Sequence, residues 1–240
     1  MKENKFVLVT GGARRIGRSI ALAVARSGSD VAVHYWESQA EAESICAEIE
    51  ALGRKAIMVQ ADLAQPEQAS TLVSHVLEYG SLVGLINNAS IFEKLNWENS
   101  SLEDWNRHLM INLTAPFLLS QAFARALSPR EQGRIINLLD WRVMRPSADH
   151  LPYSISKSAL ASLTQSLASA LAPHITVNGL ALGAVLPPID GNLDKNLIKK
   201  IPSGRWATLG EINQALLFLL TGPTSITGEI IYVDGGRHLL

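Results

Sequence analysis

The chain has a single cysteine, Cys46, among 240 residues, so no internal disulfide can close and packing must hold the fold. Charge of one sign is scarce too. Lys and Arg number 21 against 22 Asp and Glu, a net charge of −1, and there is no basic tract or interleaved aromatic stripe. Nucleic acid and anionic membrane surfaces are therefore not expected as partners. No apolar run is long enough to span a bilayer, and Met1-Lys-Glu-Asn-Lys5 lacks the long apolar stretch of a signal peptide; a cytoplasmic protein is expected. No metal site is expected either. What is present is 47% hydrophobic residues in 26.0 kDa at a mean hydropathy of +0.13. That suffices for a sizeable core, and residues 1–240 are expected to form one domain. Cys46 reads as a small buried apolar residue on a helix.

Apolar runs alternate with helical spacing. Phe6-Val7-Leu8-Val9 is the continuous apolar run of a strand buried on both faces. It leads into Thr10-Gly11-Gly12-Ala13-Arg14-Arg15-Ile16-Gly17, after which Ile16, Ile20 and Val24 mark a helix that Gly28 closes. Glycines let a backbone approach a pyrophosphate, and a helix start offers free N–H groups, so this strand–turn–helix points to dinucleotide binding; the plain alternative is an ordinary βα turn. The second strand, Asp30 to Tyr35, ends without the acidic residue that would bind the ribose hydroxyls of NAD. Tyr35 stands there, with His34 before it, Ser38 after it, and Arg14 and Arg15 nearby. Guanidinium and hydroxyl donors suit a 2′-phosphate, so NADPH is the expected cofactor provided that Glu37 points to solvent.

Helices follow over 39–52 and from Pro66 to Tyr79, with a strand Ala56–Val59 between them. Asp62-Leu63 after that strand can face the adenine, or Asp62 can cap a turn. The strand Leu82–Ile86 opens into Asn87-Asn88-Ala89-Ser90-Ile91-Phe92, whose amides can tie strand ends together and pack against a cofactor. Ser100-Ser101-Leu102-Glu103-Asp104 reads as a capping box opening a long helix interrupted near Asn112 and Pro116. Asn112 is locally unfavourable there; holding a water would explain it, and a solvated amide is the alternative. Strands over 175–180 and 230–236 and a last helix, Glu211–Leu220, complete an α/β order of about seven strands in a doubly wound parallel sheet, three layers in all. Gly183 to Ser203 reads as a loop that can cover a substrate.

The stretch Asp140 to Lys157 carries the chemistry. Tyr153 and Lys157, four apart, share a helix face. A phenol holds its proton at a pKa of about 10, and an adjacent ammonium is expected to lower it toward working range. A surface helix pair is the plain alternative. Asp140 follows the run Ile135–Leu139 and so sits at a strand end, where ligands bind in open α/β sheets.

These segments together resemble the short-chain dehydrogenase/reductase family over essentially the whole chain: Thr10-Gly11 to Gly17, Asn87-Asn88-Ala89, Asn112, Tyr153 with Lys157, and Asn178 followed by Gly183. The resemblance implies a Rossmann-type fold, a nicotinamide cofactor contacted by Gly11, Ile16, Gly17, Leu63, Asn88, Ala89, Gly183 and Val185, usually a homotetramer, and a relay. In that relay Tyr153 gives the proton, Lys157 holds the ribose and Asn112 supports a water. Arg15 in place of the middle glycine, Asp140 in place of the usual serine, and Asn88-Ala89-Ser90-Ile91-Phe92 look like pteridine reductases and dihydromonapterin reductases. By that likeness Ser90 and Phe92 hold a pterin, its ring between Phe92 and the nicotinamide. A core aromatic is the plain alternative for Phe92.

Asp140 fits that chemistry. Ketone reduction builds negative charge on oxygen, which a carboxylate opposes; C=N reduction passes through a positively polarised nitrogen, which it favours. The expected function is NADPH-dependent reduction of a dihydropterin or dihydrofolate, with proton transfer from Tyr153. An NADPH-dependent reductase of 3-oxoacyl or small-ketone substrates is the first rival. A non-catalytic NADP-binding regulatory module is the second.

Overall fold

The computed structural model describes residues 4–128, 130–186, 198 and 201–240. Its centre is a seven-stranded sheet in the order β3-β2-β1-β4-β5-β6-β7, with every pairing parallel. The strands are β1 Lys5–Val9, β2 Asp30–Tyr35, β3 Ala56–Gln60, β4 Ser81–Asn87, β5 Gly133–Asp140, β6 Ile175–Leu182 and β7 Ile230–Val233. Seven α-helices are described: α1 Arg15–Arg26, α2 Gln39–Ala51, α3 Pro66–Leu77, α4 Leu102–Leu109, α5 Ala115–Ala126, α6 Leu151–Leu171 and α7 Leu209–Thr221.

Period-two alternation in β1 builds the layers. Val7 and Val9 pack with α1, α2 and α7 residues such as Ile20, Ile45 and Leu216 on one face; Phe6 and Leu8 pack with Leu72, Leu119 and Phe123 of α3 and α5 on the other. Each such large apolar side chain contributes about 1.5–3 kcal/mol on full burial. Chain order reverses beside β1, between β2 and β4, and the crevice at the carboxyl ends of β1 and β4 is where an open sheet of this kind takes a ligand.

The interrupted helix has a physical cause. The Ser101–Asp104 capping box opens α4, and a π-helical turn over Met110–Thr114 separates α4 from α5. Pro116 has no N–H to give the carbonyl of Asn112 four residues back, so the α ladder cannot run through. Of the loop expected over 183–203, residues 187–197, 199 and 200 lie outside the described residues.

Candidate active site

The β1–α1 turn is shaped by close contact. Gly11 has φ +60°, and a Cβ on Gly17 would lie 2.1 Å from the Gly11 carbonyl oxygen, so a side chain at 17 would push the turn open. Arg15 takes φ 52°, the left-handed region a glycine adopts freely. The N-terminus of α1 has no side-chain cap bond and no acidic residue in its first turn, leaving its N–H groups and positive dipole end for an anion. Asn88 Nδ2 donates to the Thr10 carbonyl at 2.8 Å and to that of Gly11 at 3.3 Å. His34 fixes the turn from the other side. Gly11 N–H donates to His34 Nδ1 at 2.9 Å while His34 Nε2 lies 3.0 Å from the Ala61 carbonyl, which defines a neutral ring with its proton on Nε2. Burial lowers the His34 pKa to about 4, against the opposing pull of the Ala61 carbonyl and Asp62.

This turn borders a cleft of about 490 Å³. Gly11, Arg14, Arg15, Ile16 and Gly17 line its β1 side, and His34, Tyr35, Ser38, Asp62 and Leu63 its β2–β3 side. Asn88, Ala89, Ser90, Phe92 and Tyr153 complete the far wall. Trp36, Ile91 and Ile111 also line it. They escaped the sequence reading because an apolar residue after a strand looks the same whether it faces core or cleft. Glu37 is exposed and off the wall, as a 2′-phosphate requires. Arg14 is not free: it pairs with Glu41 on the exposed first turn of α2. Asp62 both lines the cleft and caps a turn, accepting from Ala64 N–H at 2.9 Å.

Gly183 and Val185 are not among the lining residues. Gly183 N–H donates to the Val233 carbonyl at 3.1 Å, and its Cα packs so tightly on β7 that a Cβ would stand 2.8 Å from Asp234 Cα. Val185 packs against the core.

At the β5 end, Tyr153 Oη donates to Asp140 Oδ2 at 3.1 Å. Asp140 Oδ1 also accepts the Arg142 backbone N–H at 2.9 Å, so the carboxylate is both a turn cap and a phenol partner. The α6 stripe Tyr153, Lys157, Leu160, Thr164 and Ala168 is buried, which places the ammonium inside the protein. There Lys157 Nζ donates to the Leu138 carbonyl at 2.7 Å and lies 5.9 Å from the centre of the Tyr153 ring. Burial lowers the Lys157 pKa to about 8, with Asp140 pulling it back up.

Two expectations need correction. Tyr153 is not activated by lowering: its pKa stands well above the ordinary phenol value, first because the ring is buried and next because Asp140 faces it. Asn112 has no amide valence left for a water. Its Nδ2 donates to the Ile91 carbonyl and Ser156 Oγ, and its Oδ1 accepts from Ser90 Oγ and Ile91 N–H, all at 3.0–3.1 Å; the side chain braces the 90–91 loop against α6. Phe92 is exposed and not a core aromatic. The His150 imidazole stacks on it at 3.9 Å and 13°, Tyr153 meets it edge-on at 4.6 Å, and the Arg142 guanidinium carbon lies 5.4 Å from its centre. His150 and Arg142 were missed in the sequence because the ten residues between β5 and α6 have no periodicity to orient them.

The short chain dehydrogenase family profile matches residues 5–197. The 3-oxoacyl-[acyl-carrier-protein] reductase of Synechocystis sp. is 35% identical over 97% of this chain and 96% of its own length. Among solved structures, FolM alternative dihydrofolate reductase 1 from Brucella canis, complexed with NADP, is 37% identical, with a TM-score of 0.92 over 99% of this chain and 95% of that one. A short chain dehydrogenase from Burkholderia cenocepacia in complex with NADP is 36% identical, with a TM-score of 0.90 over 98% and 97%.

Proposed function

The chain belongs to the short chain dehydrogenase family, and from that premise we propose that it is an NADPH-dependent reductase of a pterin-type substrate, a dihydropterin or dihydrofolate. The observation that carries this is the Asp140 carboxylate, 3.1 Å from the Tyr153 hydroxyl at the end of β5. The cofactor is NADP(H): the glycine turn, the uncapped start of α1, Arg15, and Ser38 with no capping bond of its own provide the donors that a pyrophosphate and a 2′-phosphate need. When bound, it supplies hydride to a ring carbon.

The chain's own residues handle the proton and its charge. Tyr153, with its raised pKa, keeps its proton at neutral pH until a ring nitrogen becomes basic enough to take it. Asp140 favours positive charge growing on that nitrogen and opposes the alkoxide of a ketone reduction. Lys157, buried and bonded to Leu138, sets a cation behind the phenol and holds the ribose. Asn112 fixes Ser90 and Phe92 relative to α6.

Relatives named as 3-oxoacyl reductases favour the second reading, a carbonyl reductase. Steady-state assays with dihydrobiopterin, dihydromonapterin, dihydrofolate and a 3-oxoacyl thioester, each with NADPH and NADH, decide between them. Dihydropterin turnover with NADPH preferred is the expected result; thioester turnover alone overturns the reading. The proposal takes residues 1–240 as one cytoplasmic domain assembling as a homotetramer, which sedimentation velocity checks.

A further inference from the structure

Resting on the pterin reading, the cluster around Asp140 shows more than a proton relay, because one side chain holds both surfaces that a substrate would need. Arg142 Nη1 contacts Asp140 Oδ1 at 3.1 Å and Oδ2 at 3.2 Å, and the same guanidinium lies over the Phe92 ring. A guanidinium is flat, carries adjacent N–H donors in one plane, and stacks on aromatic faces. We propose that Arg142 is an internal placeholder, occupying the position that the substrate's flat, positively polarised N–H group takes beside Asp140, and that the site therefore selects flat substrates whose nitrogen at that point carries N–H and growing positive charge.

The seat is built to be vacated. Arg142 reaches Asp140 through Nη1 alone, one nitrogen shared between two oxygens rather than the two-nitrogen fork that makes a guanidinium–carboxylate pair strong. Its Nε is buried with no hydrogen-bond partner among the described residues, a cost relieved when the side chain swings into water. Arg237 crowds it: both guanidinium carbons lie on Trp141, at 5.0 and 4.2 Å from the ring centre, and the two charges repel. An external amidine, adding to the bonds that the two carboxylate oxygens keep from the Tyr153 hydroxyl and the Arg142 backbone N–H, regains the stack on Phe92 and can pair through two nitrogens. The β-keto group of a 3-oxoacyl chain, an acceptor without donors, gains nothing from Asp140 and leaves Arg142 in place.

The test is calorimetric titration of the cofactor-loaded protein with benzamidine, a flat ring carrying the paired donors, and with benzamide as the control lacking them. Wild type should bind benzamidine and not benzamide, Asp140→Asn should abolish binding, and Arg142→Met should tighten it roughly tenfold by removing the internal competitor. Unchanged or weaker benzamidine binding in Arg142→Met overturns the proposal. If that variant does not fold, Arg142→Leu is read the same way, since it too removes the cation that occupies Asp140. Titration needs no turnover: absent dihydropterin reduction would sink the function proposed above without touching this result, and an unmoved titration beside good pterin turnover would sink this inference alone.

Discussion

The cofactor-side wall of the cleft and the side-chain cluster behind its Tyr153 edge are built on different principles. On the β1–β3 side the surface is mostly backbone and uncharged contact: the Gly11–Gly17 approach, the Asn88 amide on two carbonyls, and a neutral His34 bridging two loops. Behind Phe92 and Tyr153, outside the cleft's lining, the cluster is charged and already self-paired, with Asp140 shared between Tyr153 and Arg142, and Phe92 stacked by His150. The first wall is preformed for a ligand of fixed shape. The second must trade internal contacts for substrate contacts, so selectivity resides in what the substrate can displace.

The sharpest way to break this contrast is Tyr153→Phe, which should cut dihydropterin turnover by about 10²–10⁴-fold while leaving NADPH affinity, followed by nucleotide fluorescence, within a factor of a few. Next comes Asp140→Ser. Dihydropterin kcat/KM should fall roughly 100-fold and the ratio of ketone to pterin activity should rise; an unchanged ratio would remove the electrostatic argument for this carboxylate.

A third experiment probes the cofactor-side wall through pH. The folded-state pKa of His34 is about 4, below the ordinary imidazole value of about 6.5, so the unfolded chain binds the extra proton between those values. Stability attributable to the neutral ring is complete above pH 6.5 and drains away as pH falls toward 4, by roughly 3 kcal/mol. Thermal unfolding of wild type should therefore lose more on acidification across that window than that of His34→Leu. The smallest effect belongs to Glu41→Gln. Freeing Arg14 from an exposed ion pair should raise NADPH affinity about two- to threefold and leave NADH affinity unmoved, as competition titrations would show.

The contrast also explains what was legible in the sequence. Strand runs such as Phe6–Val9 and the β1 turn glycines report on backbone demands that few residues satisfy, so the sheet, the cofactor wall and the Tyr153–Lys157 face were all readable. Asp140 was readable as well, since a carboxylate closing an apolar strand has few places to go. Its partner was not. Arg142 looks like any exposed cation in sequence, and only the 3₁₀ turn Trp141–Val143 folds it back onto residue 140. The direction of the Tyr153 shift was misjudged for a related reason: helical spacing brings Lys157 near the ring, but burial and the facing Asp140 carboxylate raise the phenol, and the cation that opposes them is Arg142.

The widened turn at 110–114 has a further consequence. An α-helix advances about 100° per residue, and a π-turn absorbs one extra residue without breaking the rod. Deleting a single residue ahead of Asn112 should leave helicity nearly unchanged, since Pro116 still interrupts the ladder, while rotating Asn112 away from Ile91 and Ser156. The 90–92 segment would lose the three bonds that Asn112 makes to it, and the aromatic wall would drift from the phenol. A lesion invisible to circular dichroism would thus silence the enzyme, which makes that irregular turn a mechanical coupling between helix phase and catalysis.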